Sequence, residues 1–281
     1  MTEQEKITLA SAEQQMQLAK DPSFFSRIKL AQDPSCSADA LALLAFDEDC
    51  RIRRVAIKNP YISVDLLCEL SVDPVHDVRG SIAELPDCPM DLLHRFVNDD
   101  AMMVRKSVAS NPNCPVELMS KLLNDADGYV RWCLAGNQSL PYDLVKIMTK
   151  DKDTEVREMI AIHPKLDVFS LLNMALTERS KAVLRSVYCA LGKIKIEVWS
   201  KAVTDGLSLS QPSGKTGRSK SVGDKLLGAG LENVYQLIQS AELSQQISLA
   251  ADLQHTIASS ARQKSSALPS LSIHRPKGGR L

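Results

Sequence analysis

Arginine and aspartate recur along this chain at a fixed interval, and both side chains could do chemistry. One arginine occurs every 26 residues, at Arg27, Arg53, Arg79, Arg105, Arg131 and Arg157. Evenly spaced guanidinium groups could follow the phosphate backbone of a nucleic acid. An aspartate repeats with the same period, however, so the pattern favours a structural role in which arginine pairs with aspartate and caps backbone carbonyls between neighbouring segments.

The seven cysteines could in principle hold a metal or act as nucleophiles. Their positions argue against this, because Cys36, Cys88 and Cys114 share one position of the repeat with Ile62, Leu140 and Leu166. A position that accepts Cys, Ile and Leu is an apolar packing site. Cys-x-x-Cys pairs and the Cys/His spacing of zinc sites are both missing from the sequence. We therefore expect reduced, buried thiols, no metal and no cofactor.

Histidine offers no better candidate for catalysis. His163 stands where other segments have Asn59, Asn111 or Asn137, just before a proline or a turn, and there a polar group can hydrogen-bond the backbone. Positions that the repeat brings together supply no Ser/His/Asp or Cys/His set. The Gly-Lys-Thr at 214–216 lacks the glycine of a phosphate loop, since residue 209 is Leu209. We expect no catalytic residues and no enzyme activity.

A fixed period of 26 residues is typical of a solenoid, in which identical structural units stack in one direction. Six full units are predicted at 21–46, 47–72, 73–98, 99–124, 125–150 and 151–176, each opening with Asp, and a degenerate seventh runs to about Val203. Each unit should contain two short helices. The first presents Ile82, Val108 or an equivalent residue inward, and the second begins with proline at its first position and an acid two residues later.

Composition outside the repeats predicts the remaining organisation. We expect an N-terminal helical cap at 1–20, the solenoid at 21–203, a flexible Ser/Gly-rich linker at 204–230, an amphipathic helix at 231–261 and a basic disordered tail at 262–281. The formal net charge is zero, and neither a signal sequence nor a long apolar run is present. These features favour a cytoplasmic protein that does not associate with membranes.

The repeat resembles that of the leucine-rich repeat variant (LRV) family. The resemblance covers about residues 21–202 and rests on a recurring set of residues: Asn111, Pro112, Pro115, Leu118, Leu122, Asp125, Asp127, Val130, Arg131 and Ala135. It implies an all-α, right-handed α-solenoid of about seven two-helix units that alternate α and 3₁₀ helices. The founding member carries an iron–sulfur cluster on N-terminal cysteines, which residues 1–35 lack here. HEAT-like solenoids are the nearest alternative, and some of those bind DNA.

Positions that vary between units are the candidates for function. The outward positions of the first helices become aromatic or Met in the central units, at Met103, Tyr129 and Trp132, which we call the central patch. Clustered aromatic and Met side chains suit a binding hot spot. The sequence thus predicts a non-enzymatic scaffold or adaptor that presents a solenoid surface to a protein or peptide. The alternative is a nucleic-acid-binding solenoid that uses the arginines and the basic tail.

Overall fold

The computed structural model describes residues 11–213 and 220–266, and the regular elements in these residues are all helices. The predicted all-α fold, with short repeated helices in a packed array, is confirmed. The chain divides into two compact units, Met1–Ala190 and Leu191–Leu281. Residues 1–10 of the expected cap, 214–219 of the expected linker and 267–281 of the expected tail lie outside the described residues.

Six helix pairs form the body of the first unit. The first helices are α2 Phe24–Gln32, α4 Cys50–Ile57, α6 His76–Ala83, α8 Met102–Ser110, α10 Gly128–Ala135 and α12 Thr154–Ala161. The second helices are α3 Ala38–Ala45, α5 Val64–Leu70, α7 Met90–Phe96, α9 Val116–Leu122, α11 Tyr142–Met148 and α13 Val168–Thr177. Each first helix packs beside the first helix of the next pair. A short helix, α1 Ala12–Leu18, precedes them and contacts α2 and α3.

The predicted inward positions form the core of this stack. They are fully buried in every pair, at Leu30, Ala56, Ile82, Val108, Leu134 and Ile160. The following position is also buried and is alanine in five pairs, which allows the backbones of neighbouring first helices to approach closely. The 26-residue period therefore reflects one packing arrangement repeated six times.

The second helices differ from the prediction in two respects. They are α-helices rather than 3₁₀ helices, because the N–H of the fourth residue after the N-cap bonds the N-cap carbonyl, as from Met119 to Pro115 at 3.0 Å. Their prolines stand one residue earlier than expected, at the N-cap with extended backbone, as Pro115 and Pro141 do. The acids Asp91, Glu117 and Asp143 lie in the first turn as predicted, near the positive end of the helix dipole.

The stack ends with α14 Lys181–Gly192, a single longer helix. Val183 and Val187 are fully buried, and the division of the chain falls at Ala190. The second half of the expected seventh repeat, α15 Ile196–Thr204, therefore belongs to the second compact unit.

The second unit contains α15 together with α16 Val222–Gly228 and α17 Glu232–Ser266. Composition indicated a flexible linker at 204–230. In the structure, the described residues of this stretch end two helices and form the helix α16. Gly206 and Gly230 have φ of 104° and 72°, and each lets the next N–H bond back to the last helical turn, as from Leu231 to Leu226 at 2.9 Å. α17 is longer than the predicted helix at 231–261 and packs against α15 and α16.

Candidate interaction surfaces

The recurring arginines form salt bridges from each repeat unit to the next. Arg105 is typical: its Nε and Nη2 donate to the two carboxylate oxygens of Asp125 at 2.7 and 3.0 Å, and its Nη1 donates to the carbonyl of Asp99 at 2.9 Å. The same links join Arg27 to Asp47, Arg53 to Asp73, Arg79 to Asp99, Arg131 to Asp151 and Arg157 to Glu178. We call this set the arginine ladder, and the predicted structural role of the arginines is confirmed.

The arginine ladder is mostly buried, and each of its six arginines is paired with a carboxylate. The six guanidinium-bearing side chains are only 3–18% exposed. The hydrogen bond that Arg157 donates to Glu178 lowers the pKa of Glu178 to about 2, and the one that Arg105 donates to Asp125 raises the pKa of Arg105. Each arginine is therefore held as a cation whose donors already face protein oxygens. In the folded repeats, these guanidinium groups are not available to bind a phosphate backbone.

A second ladder, which sequence reasoning assigned only to turns, also joins neighbouring units. The side-chain nitrogen of Asn137 donates to the carbonyls of Ala109 and Asn111, each at 2.8 Å, while its oxygen accepts the N–H of Ser139. Asn59 and Asn111 make the equivalent bonds to carbonyls 28 and 26 residues earlier. We call this set the asparagine ladder. The bonds to the preceding unit form only because the units stack, so the sequence of a single unit does not reveal them.

His163 continues the asparagine ladder with an imidazole. The N–H of Lys165 donates to Nδ1 at 3.2 Å, so the proton of the neutral ring lies on Nε2, which donates to the carbonyl of Asn137 at 3.2 Å. Burial holds the pKa of His163 below its usual value, and the charge of Lys165 lowers it further, although the Asn137 carbonyl acts in the opposite direction. The folded protein therefore favours the neutral ring.

Replacing His163 with Asn is expected to remove part of the acid sensitivity of the fold. Since the folded pKa lies below the unfolded value of about 6.5, only the unfolded chain binds the proton as pH falls below that value. Stability should then decrease by at most about 1.4 kcal/mol per pH unit on account of this residue. Urea titrations of wild type and His163→Asn at pH 7.5 and 5 would measure the difference. Parallel pH profiles for the two proteins would contradict this role.

The cysteines of the shared repeat position are core residues, as predicted. Cys36, Cys88 and Cys114 are buried, and burial raises the pKa of the Cys88 thiol to about 12. A thiol with so high a pKa is a poor nucleophile at neutral pH. In the part of the chain that the structure describes, no group of three His, Cys, Asp or Glu side chains is arranged to hold a metal ion. The helices of that part are also too short or too polar to cross a membrane.

The central patch lies on the outer side of α8 and α10. The rings of Tyr129 and Trp132 stack with a centroid separation of 5.6 Å and an interplanar angle of 8°, and the ammonium of Lys106 lies 5.8 Å from the Tyr129 ring. Tyr129 is 45% exposed, whereas Met103 and Trp132 are half-buried. The structure thus brings Tyr129 and Trp132 into direct contact, one turn apart on α10. Met103 occupies on α8 the position that Tyr129 occupies on α10.

Arg131 fixes the helix that carries these two aromatic rings. It stands between Tyr129 and Trp132 in sequence and binds both Asp151 and Asp153 of the next unit. Gly128 permits the second contact, because a Cβ there would collide with the Asp153 carboxylate. The position of Gly128 is occupied by Phe24, Cys50, His76, Met102 and Thr154 in the other units. The patch is therefore held in place by groups that are not part of it.

A second surface, which the sequence analysis did not predict, lies between α11 and α13. It is an open groove with a volume of about 980 Å³, and its walls include the exposed side chains of Tyr142, Ile147 and Phe169 and the cation of Lys146. The Tyr142 hydroxyl donates to Asp167 at 2.7 Å across the groove. One signal could have revealed it: Phe169 stands where the five preceding units have Asp or Glu.

Comparison with known proteins adds little to these observations. No family model matches the sequence, and no curated protein matches it. Among solved structures, the chain is similar to the crystal structure of an engineered protein at 18% identity, over 84% of this chain and 98% of the other, with a TM-score of 0.25. A similarity at this TM-score supports no conclusion about fold or function, so the resemblance to the LRV family stays a prediction.

Proposed function

We propose that this chain is a non-enzymatic interaction module that binds a segment of another protein through the central patch, on repeats of the LRV type, in the cytoplasm. The observation that carries the proposal is the stacked pair of Tyr129 and Trp132 on an outward helix face. These two residues stand at positions that vary between units, whereas almost every fixed position of the repeats serves packing or a ladder. A patch of aromatic and Met side chains is the kind of surface that supplies most of the binding energy in protein interfaces.

Rigid placement of the central patch supports the same conclusion. Arg131 ties α10 to the next unit through Asp151 and Asp153, so the helix that carries the two stacked rings is held in place before a partner arrives. A preorganised surface loses less conformational entropy on binding than a mobile one. Lys106, close to the Tyr129 ring, adds a cation at the edge of the patch. We therefore expect a partner segment with an apolar anchor flanked by an acidic group.

Removing the two rings is expected to abolish partner binding without unfolding the chain. Full-length wild type and the Tyr129→Ala/Trp132→Ala double variant would be immobilised, the proteins they retain identified, and the affinity of the recombinant partner measured for each. We expect the affinity to fall by at least about 100-fold, since two hot-spot side chains are truncated. Circular dichroism of the double variant checks that its helices remain.

Phe25→Ala supplies a matched control for this experiment. Phe25 occupies on α2 the position that Tyr129 occupies on α10, and it is 73% exposed. The control should bind the partner as wild type does. Equal retention of the partner by the double variant would refute the proposed site. Retention of nucleic acid alone, weakening steeply with salt, would refute the proposed class of partner.

A further inference from the structure

The C-terminal part of α17 carries apolar side chains that nothing in the described structure covers. Its N-terminal part is packed within the second unit, where Val234, Ile238 and Ala241 are buried. From Leu243 to Ser259, by contrast, every side chain except the half-buried Gln245 is exposed. This exposed stretch of helix is about 25 Å long. An isolated helix of that length is only marginally stable in water, so a packing partner would stabilise it.

Four of the five large exposed apolar residues fall on one side of the helix, and the fifth, Leu249, lies at its margin one turn before Leu253. Successive residues turn by about 100° around a helix axis, so spacings of three and four keep side chains on a common face. That face consists of Leu243, Ile247, Ala250, Leu253 and Ile257, which we call the stripe. Its four large side chains are 54–70% exposed. Apolar residues spaced three and four apart form the seam along which two helices interlock their side chains.

The surroundings of the stripe are uncharged. Between Leu243 and Ser259 the one formally charged residue is Asp252, which lies on the opposite side of the helix. Gln246 and Gln254 lie among the stripe residues around the helix, and Ala251 and Leu249 flank the stripe. A charged partner would find no complementary group there, whereas a second neutral stripe would meet no like-charge repulsion. The same patch can also face itself across a two-fold axis, as homodimer interfaces do.

We propose that α17 is a dimerisation helix and that its stripe packs against the stripe of a second copy of this chain. Pairing would bury eight large aliphatic side chains, four from each copy, and would give the exposed helix a partner along its full length. The dimer would also display two central patches, so a partner with two binding segments would be held more tightly than by one chain. This inference concerns the second compact unit and stands independently of the proposed function.

The oligomeric state of the full chain tests the proposal. Sedimentation velocity and light scattering on wild type should give a mass twice the 30.9 kDa of one chain, with dissociation on dilution. Ile247→Glu/Leu253→Glu should be monomeric, because it places like charges in the seam. Glutamate favours helix at least as well as these residues do, so circular dichroism should show unchanged helix content.

Ser248→Glu/Ser259→Glu is the matched control, with the same added charge on the side of α17 opposite the stripe. This control should remain dimeric. That result would show that the other variant dissociates because its charges lie in the stripe, and not because charge was added to the helix. A monomeric wild type at every soluble concentration would overturn the proposal, as would a dimer that survives Ile247→Glu/Leu253→Glu. Equal loss of association in both charge variants would overturn it too.

Discussion

Arg131→Ala is expected to lower the free energy of unfolding by about 3–5 kcal/mol, the cost typical of removing one partner of a buried ion pair. Arg131 is the most deeply buried member of the arginine ladder, with a side chain only 3% exposed. Its removal leaves the carboxylate of Asp151, 8% exposed, without its cation. The carbonyl of Asp125 also loses the donor that now lies 2.6 Å away.

The position of Arg131 in the stack determines how the variant should unfold. In a solenoid each unit contacts only its neighbours, so stability is a sum of unit and interface contributions. The substitution weakens one interface, between the units that begin at Asp125 and Asp151. Urea unfolding should therefore become less cooperative as well as shift to lower concentration. Hydrogen exchange should increase first in the helices on either side of that interface, α10 and α12.

Arg51→Ala is the control for this experiment. Arg51 also pairs with an aspartate, Asp49, but within its own unit, and its side chain is 65% exposed. Exposed ion pairs contribute little to stability, so this variant should unfold close to wild type. If the two arginine variants had the same unfolding midpoint, the inter-unit salt bridges would not be what holds the stack together.

The period of the sequence was sufficient to predict the shared core and the pairing of the arginines, but not the inter-unit bonds of the asparagine ladder. Val108 and its equivalents are core, Cys114 packs and Arg105 pairs with aspartate, because each position could be read in six copies. Glu178 shows the limit of this approach. Glu178 forms the last salt bridge of the arginine ladder although it stands one residue later than the aspartates of the other units. Only its pairing with Arg157 shows that it takes the place of those aspartates.

Features that depend on departures from the period were harder to predict. The groove beside Phe169 arises where a single residue departs from the acidic pattern, and the groove also requires Tyr142 from the preceding unit. The stretch 204–230 has the composition of a linker, but Gly206 and Gly230 end helices there through positive φ. Composition alone does not distinguish a glycine that ends a helix from a glycine in a flexible segment.

Asn137→Ala is expected to cost about 2–4 kcal/mol, because it removes three hydrogen bonds to the backbone, two of them buried, at about 0.5–1.5 kcal/mol each. The carbonyls of Ala109 and Asn111 each lose one donor, and the N–H of Ser139 loses its acceptor. Asn113→Ala is the control, since Asn113 also donates to the preceding unit, at Pro86, but is exposed. Urea denaturation of both variants would measure the two costs, and equal small values would show that burial of the ladder is unimportant.

The asparagine ladder has one natural gap, at Leu85, which allows the reciprocal experiment. Leu85 occupies the position of Asn59 and Asn111. By the spacing of the ladder, an asparagine there would face the carbonyls of Ile57 and Asn59, 28 and 26 residues earlier, as Asn111 faces those of Ala83 and Leu85. Leu85→Asn should therefore raise the free energy of unfolding by about 1 kcal/mol, the net value of one or two added hydrogen bonds less the lost apolar contact. A stabilised Leu85→Asn together with a destabilised Asn137→Ala would establish that this amide joins the units, because a residue that acted only within its own turn would give no gain at Leu85.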